Sequence, residues 1–180
     1  MKRLCLPFVL ALCLLLSGCG SGVKKQYEQF SSALAQRDSL SFTARLRAEY
    51  EDKTAEFTLK YARDESGQTV TVTEPEIIAG ISARIAGDGT ALVYDGMILD
   101  TGELDAYGLT PMSALPVLVS AMESGHLESF RKEDGLLVLE LVPEEHLAVT
   151  VWFDEQMRPL KAELVSEGQL RVACAIENWK

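Results

Sequence analysis

The chain has 180 residues, 27 acidic against 17 basic, for a formal charge of −10. That length accommodates one domain with a proper hydrophobic core. So acidic a balance argues against nucleic acid as a partner and against attachment to an anionic lipid surface through a basic face.

Lys2 and Arg3 precede an apolar run from Leu4 to Leu16 that only Pro7 interrupts. The run is short for a membrane span and has the length of a secretory h-region. It ends in Leu16-Ser17-Gly18-Cys19, which resembles the lipobox of bacterial lipoproteins. The resemblance implies cleavage before Cys19, with a diacylglycerol on its thiol. It also implies attachment to the extracytoplasmic face of a bacterial cell membrane through that lipid. Two acyl chains on one cysteine hold stably where a single chain is marginal. An uncleaved signal anchor, or a plain secretory peptide with a chance cysteine, are the alternatives. The expected organisation is a signal peptide at 1–18, a lipidated cysteine and flexible Gly20-Ser21-Gly22 tether at 19–23, and a single domain at 24–180. Processing removes Lys2 and Arg3, leaving 15 basic residues against 27 acidic ones and a formal charge of −12. It also removes Cys5 and Cys13, so Cys174 is the one cysteine of the body and no intramolecular disulfide forms. Cys174 alternates with Leu170, Val172 and Ile176, the pattern of a small buried hydrophobe rather than a reactive thiol.

The body opens with a helical pattern from Val23 to Asp38, in which Val23, Tyr27, Phe30 and Leu34 recur at three- and four-residue steps. Period-two patterns then take over. Phe42, Ala44, Leu46, Ala48 and Tyr50 alternate with polar residues, as do Ala55, Phe57, Leu59 and Tyr61, and the turn "EDKT" joins the two runs as a hairpin. "ESGQ" is a turn, "TVTVT" a strand, and Pro75 a bend. "ISARIAG" and "ALVYDG" flank the hairpin signal Gly87-Asp88-Gly89, and "MILDTG" adds a short piece. After an interruption the alternation returns four times, in "LLVLELV", "LAVTVWF", "LKAELV" and "LRVACAI". Short connections make an antiparallel meander the economical arrangement. Several of these last strands are apolar on both faces, so covering on both sides is expected, with small Ala173 and Ala175 where a helix sits close.

The interruption, 100–134, holds "YGLTPMSALPVLVSAMESGH". A helix beginning at Pro111 would place Pro116 in its interior at about 3 kcal/mol. Ser113 as N-cap puts Pro116 in the first turn instead, which predicts a helix over 114–124 that stops at Gly125. Leu115, Val117, Leu118, Val119, Ala121 and Met122 make it apolar nearly all round. One stripe suffices to pack on a sheet, so such a helix takes a second partner: more protein, a lid or a ligand.

Three segments, Phe57–Ile85, Leu92–Leu104 and Val151–Leu164, carry a family resemblance in their strand patterns and turns. Together with the lipobox, the N-terminal helix and the apolar insertion, they resemble the LolA/LolB-like superfamily. The similarity is closest to the small GerS-like and YdcC-like lipoproteins of spore-forming bacteria. The resemblance implies an α+β fold: a strongly curved antiparallel sheet, or incomplete β-barrel, with the N-terminal helix and the inserted apolar helix on its concave side. It further implies either an apolar cavity for acyl chains or a surface for a protein partner in a sporulation or germination process.

No enzyme signature stands beside it. His126 and His146 lack the spacing of a metal pair, "EEH" at 144–146 reads as a solvated turn, and the acidic turns lack calcium-loop spacing. The expectation is a non-catalytic protein without metal or cofactor. Its partner is an envelope protein or, alternatively, a lipid or lipoprotein acyl chain under the 114–124 helix. Phe57, Leu59, Ile85, Leu115, Leu118, Met122, Val149 and Val151 are the candidate lining residues for ligand or partner. The plainer alternative is that the apolar helix completes the core.

Overall fold

The computed structural model describes residues 19–50, 53–87, 89–101 and 109–180. The expected signal peptide, Glu51-Asp52 of the first hairpin turn, Asp88 of the second and Gly102 after "MILD" lie outside the described residues.

Helix α1 spans Cys19–Ala35 and is followed by strands β1 (Leu40–Glu49), β2 (Thr54–Asp64) and β3 (Gly67–Glu74). A 3-10 turn at Glu76–Ile78 leads to β4 (Ser82–Ala86), β5 (Gly89–Tyr94) and β6 (Met97–Asp100). Helix α2 spans Pro111–Ser124, and β7 (His126–Glu133), β8 (Leu136–Glu144), β9 (Leu147–Phe153), β10 (Pro159–Ser166) and β11 (Gln169–Glu177) complete the chain. These eleven strands form one unclosed antiparallel sheet in the order β6-β5-β4-β3-β2-β1-β11-β10-β9-β8-β7. Two meanders, β1 to β6 and β7 to β11, are thus joined where the first and last strands pair, Leu46 opposite Cys174.

The expected period of two is what makes this sheet. In β1, Leu40, Phe42, Ala44, Leu46 and Ala48 are buried and the residues between them are not. Tyr50, expected in the same row, falls beyond the strand and is exposed. Helix α2 touches β3 on one side and β8 and β10 on the other. β3 and β8 lie six strand spacings apart, about 29 Å along a flat sheet. A 14-residue helix is about 21 Å long, so the sheet curves around it. Both helices and the inward rows of the strands share one core, from Val70 in β3 to Leu141 in β8.

Several expectations are corrected or sharpened. First, α1 begins at Cys19 and ends at Ala35, so Gly20-Ser21-Gly22 belongs to its first turn rather than to a tether. The first N–H groups of a helix have no intrahelical partner, so weak helix formers cost least there. Second, α2 starts at Pro111, not at Ala114, and Pro116 does lie inside it. Thr110 is the N-cap. Its Oγ1 accepts from the Ser113 N–H at 3.2 Å, and Ser113 Oγ accepts from the Thr110 N–H at 2.9 Å. This capping box satisfies two donors at the helix start and offsets part of the interior proline's cost. Third, the helix ends before Gly125 as expected, but Gly125 has φ −63°, not a left-handed cap. Glycine is needed there for space, since a Cβ would lie 2.5 Å from the Ala121 carbonyl oxygen and 3.3 Å from Leu141. Fourth, β7 is a strand where the sequence pattern shows none, because a bulge between Leu127 and Ser129 breaks its alternation and most of its side chains are exposed.

No helix covers the outer face of the C-terminal strands among the described residues, contrary to the place expected beside Ala173 and Ala175. Both helices pack on the inner face instead, and the outer face is covered by its own long side chains. Trp152, opposite Val138, lies under the Lys161 ammonium at 4.2 Å and near the Arg131 guanidinium at 5.8 Å. The stems of such residues shield apolar surface while their charges stay in water.

Candidate functional site

The concave face is where the predicted lining residues were to meet. Leu115, Leu118 and Met122 of α2, Leu59 of β2, and Val149 and Val151 of β9 do come together, all with zero exposure, in the common core. Phe57 is half-buried at the margin of this core. Ile85 lies on β4 opposite Gln68, half-buried and outside the core cluster. The second partner that the all-round apolar helix calls for is α1. Tyr27 and Leu34 of that helix are buried, and Phe30 meets Phe153 edge-on with ring centroids 5.1 Å apart.

A polar seam, which no local sequence pattern announces, locks the two helices to the sheet. The Tyr27 hydroxyl donates to the Gly125 carbonyl at 2.7 Å, with Ala121 O at 3.3 Å, and the Ser31 hydroxyl donates to the Glu123 carbonyl at 2.6 Å. Arg63 of β2 pairs with the Glu123 carboxylate and donates to the Leu34 carbonyl at 3.0 Å, so one guanidinium ties both helices to one strand. These contacts satisfy carbonyls near the C-termini of α1 and α2. Burial pushes the Tyr27 hydroxyl up to about 12. Tyr61, beside the Arg63–Glu123 pair, is raised further, chiefly by burial. Burial likewise holds the Cys174 thiol up at about 12, and the residue is only 3% exposed, so Cys174 is a core residue as its alternation implied.

Among the described residues, three of the surface clefts bear on the site. One of about 410 Å³ lies between α2 (Pro116, Val117, Ser120) and the turns at Glu144-Glu145-His146 and Ser166-Glu167. A second, about 560 Å³, adjoins it at Leu109 and Glu167 and runs to Tyr50 and Arg171. A third, about 550 Å³, lies between Arg45, Arg47, Glu56 and Pro75 and takes in Phe57, the one candidate lining residue found in any of the three. His146 sits in a turn at φ +69°, 3.7 Å from Glu145, and His126 is exposed on β7. Among the described residues no cluster of His, Cys, Asp or Glu has the arrangement of a metal site. Nor is any described helix long and apolar enough to cross a membrane. Cys19 is the first residue of α1.

Large apolar side chains are also left in solvent. Ile77 of the 3-10 turn is 87% exposed, and Met97, Ile98 and Leu99 of β6 are 67%, 70% and 63% exposed.

Neither the family models nor the curated proteins yield a match to the chain. Among solved structures it is similar to an uncharacterized conserved protein from Thermus thermophilus, at TM-score 0.52 and 11% identity, over 87% of this chain and 86% of that one. It is also similar to a LolA superfamily protein from Nitrosomonas europaea (TM-score 0.48, 14% identity, 87% of this chain and 92% of that one). A further similar chain belongs to the structure of the CwlD amidase from Clostridioides difficile in complex with the GerS lipoprotein (TM-score 0.45, 15% identity, 87% and 94%). The Thermus protein shares the fold of this chain; at these identities the likenesses speak to fold alone.

Proposed function

We propose that this chain is a lipoprotein held at the extracytoplasmic face of a bacterial cell membrane by diacylglycerol on Cys19, and that its domain is a non-catalytic interaction module for an envelope protein. The signal peptide at 1–18 and the single domain at 24–180 are part of this reading. A role in sporulation or germination is its finer form, motivated by the sequence resemblance to GerS-like lipoproteins. The observation that carries the interaction role is the packing of the concave face. Leu59, Leu115, Leu118, Met122, Val149 and Val151 are fully buried in one core, while Met97, Ile98 and Leu99 stand in solvent. Apolar surface that a carrier would keep inside is filled here, and apolar surface that marks interaction sites is outside.

The anchor is tested by detergent phase partition and radiolabelled palmitate incorporation in a bacterial host. The wild type is expected in the detergent phase with label, and Cys19→Ala in the aqueous phase without it. Equal partition of the two proteins refutes the lipid anchor. The interaction role is tested by crosslinking in intact sporulating cells followed by mass spectrometry. An envelope protein crosslinked to the wild type supports it, and a purified Cys19→Ala chain that carries stoichiometric non-covalent lipid overturns it.

A second reading, binding of an apolar ligand, has one observation in its favour. The 410 Å³ cleft has a partly apolar wall of Leu109, Pro116, Val117 and Leu147. Its rim carries Glu144, Glu145 and Glu167, which repel the carboxylate of a fatty acid. Uptake of a neutral fluorescent lipid, competed by no envelope protein, would favour this reading.

A further inference from the structure

Among the described residues the sheet has two free edges, and they are built differently. β7 is fenced: Glu128, Arg131, Lys132 and Glu133 are exposed along it, Arg131 pairs with Glu133 at 3.1 Å, and the Leu127/Ser129 bulge breaks its register. Charges and bulges of this kind prevent a second chain from pairing with an edge. β6 has neither. Met97-Ile98-Leu99 carries no charge and no proline, and its pairing with β5 runs without a bulge.

The register fixes where the backbone of β6 points. The hairpin closes at Tyr94 opposite Met97 through Asp95 (φ +48°) and Gly96 (φ +77°), a two-residue turn with both central residues left-handed. Thr101 N–H donates to the Thr90 carbonyl at 3.0 Å. Bonded and non-bonded pairs alternate in an antiparallel ladder, so Met97, Leu99 and Thr101 bond to β5 and Ile98 directs its N–H and C=O to the open edge. The side chains tell the same story. A cross-strand row runs from buried Val70 through Ala83 and Leu92 to Leu99. The apolar row of the core therefore continues to the edge and stops there without a polar residue to end it.

We infer that β6 is a docking edge, to which an extended apolar segment of a partner protein, flanked by lysine or arginine, adds as a twelfth strand bonded to the Ile98 backbone. This deepens the interaction reading and rests on it. Strand addition draws affinity from the backbone and specificity from alternate side chains. Here Leu99 and Leu92 offer one face, and Ile98 and Val93 the other. The basic flanks follow from charge: residues 19–180 carry a formal −12, and Asp95 stands in the turn that begins the strand. The same charge opposes a second copy of this chain at the edge.

The test uses the full lipidated chain in detergent micelles and a nine-residue peptide of alternating valine and threonine with lysine at both ends. A second peptide carries glutamate in place of lysine. The lysine peptide is expected to slow amide exchange at Ile98 at least tenfold, and the glutamate peptide to bind at least fivefold more weakly. Ile98→Pro removes the outward donor and leaves the β5 bonds in place; it is expected to weaken the lysine peptide at least tenfold. Ile98→Lys, which keeps the backbone, is expected to do the same by charge. Unchanged peptide affinity in both variants overturns the proposal. So does an Ile98 amide already protected without peptide, whether at all dilutions, which means the chain covers its own edge, or only at high concentration, which means a second copy does. If cells bearing either variant still give the wild-type envelope crosslinks, the docking edge falls while the interaction role stands. If the wild type gives none, the broader role falls first.

Discussion

Leu118→Ala tests whether the concave face is filled by the protein itself. Leu118 lies in the middle of α2, has zero exposure and belongs to the core shared by both helices and the sheet. The substitution removes three carbons, worth about 2.4 kcal/mol at about 0.8 kcal/mol for each buried group. A void in surroundings that relax only partly adds to that, and buried Leu→Ala changes span about 2–5 kcal/mol. A loss of about 3–4 kcal/mol is therefore expected, a large share of the roughly 5–15 kcal/mol that holds a domain together. For a domain of this size the melting temperature falls by about 10 °C. The assay is urea unfolding followed by far-ultraviolet circular dichroism, with Phe30→Ala, on the half-buried face of α1, as a comparison. If Leu118 instead faced an empty acyl-chain cavity, its methyls would have few partner atoms to lose. A loss below about 1 kcal/mol, with an unchanged m-value, would refute the packed-core argument and with it the main support for the interaction role.

Two further outcomes concern the polar seam. Tyr27 has a folded pKa of about 12, above its ordinary 10, so the folded protein keeps a proton that the unfolded chain gives up. Its contribution is complete below about pH 10 and is lost as pH rises to about 12, at about 1.4 kcal/mol per pH unit. Tyr27→Phe should cost about 1–2 kcal/mol at neutral pH, through the loss of the Gly125 hydrogen bond. It should also flatten the alkaline limb by that slope in urea titrations at several pH values; parallel alkaline limbs would contradict the buried hydroxyl. Glu123→Gln leaves the Arg63 guanidinium half-buried beside a neutral partner and should cost about 1–2 kcal/mol. A cycle with Arg63→Gln should return a coupling of about 1 kcal/mol, and a coupling near zero would remove the pair from the seam.

What the sequence made legible follows from what each feature depends on. The buried row of β1 and the order of strands from β1 to β5 and from β8 to β11 depend on period two and on short turns, which are local, and both could be read. The start of α2 depends on a competition between an interior Pro116 and a capping box at Thr110 and Ser113. Proline rules alone favoured the wrong side of it. β7 escapes a periodicity reading because its bulge erases the period and its charges resemble a loop. The seam of Tyr27, Ser31, Arg63, Glu123 and the Gly125 carbonyl joins residues up to 98 positions apart, and no local pattern announces such a meeting.

The candidate site divides along the same line. That Leu115, Leu118 and Met122 would be apolar on every side of a helix was plain; whether a ligand or α1 covered them depended on how far the sheet curves. The reverse holds for β6. "MILD" reads as a short apolar piece, and nothing within it distinguishes an inner strand from an edge. Its exposure is decided by the neighbour it lacks. β1, equally apolar on its inward row, ends up buried because β11 returns to pair with it from the far end of the chain. Among the described residues, the apolar row that ends at Leu99 meets no further strand. In a sheet whose other edge is fenced with charge, that omission is specific to β6, and the physical consequence is a backbone donor and acceptor at Ile98 held in register for a strand from elsewhere.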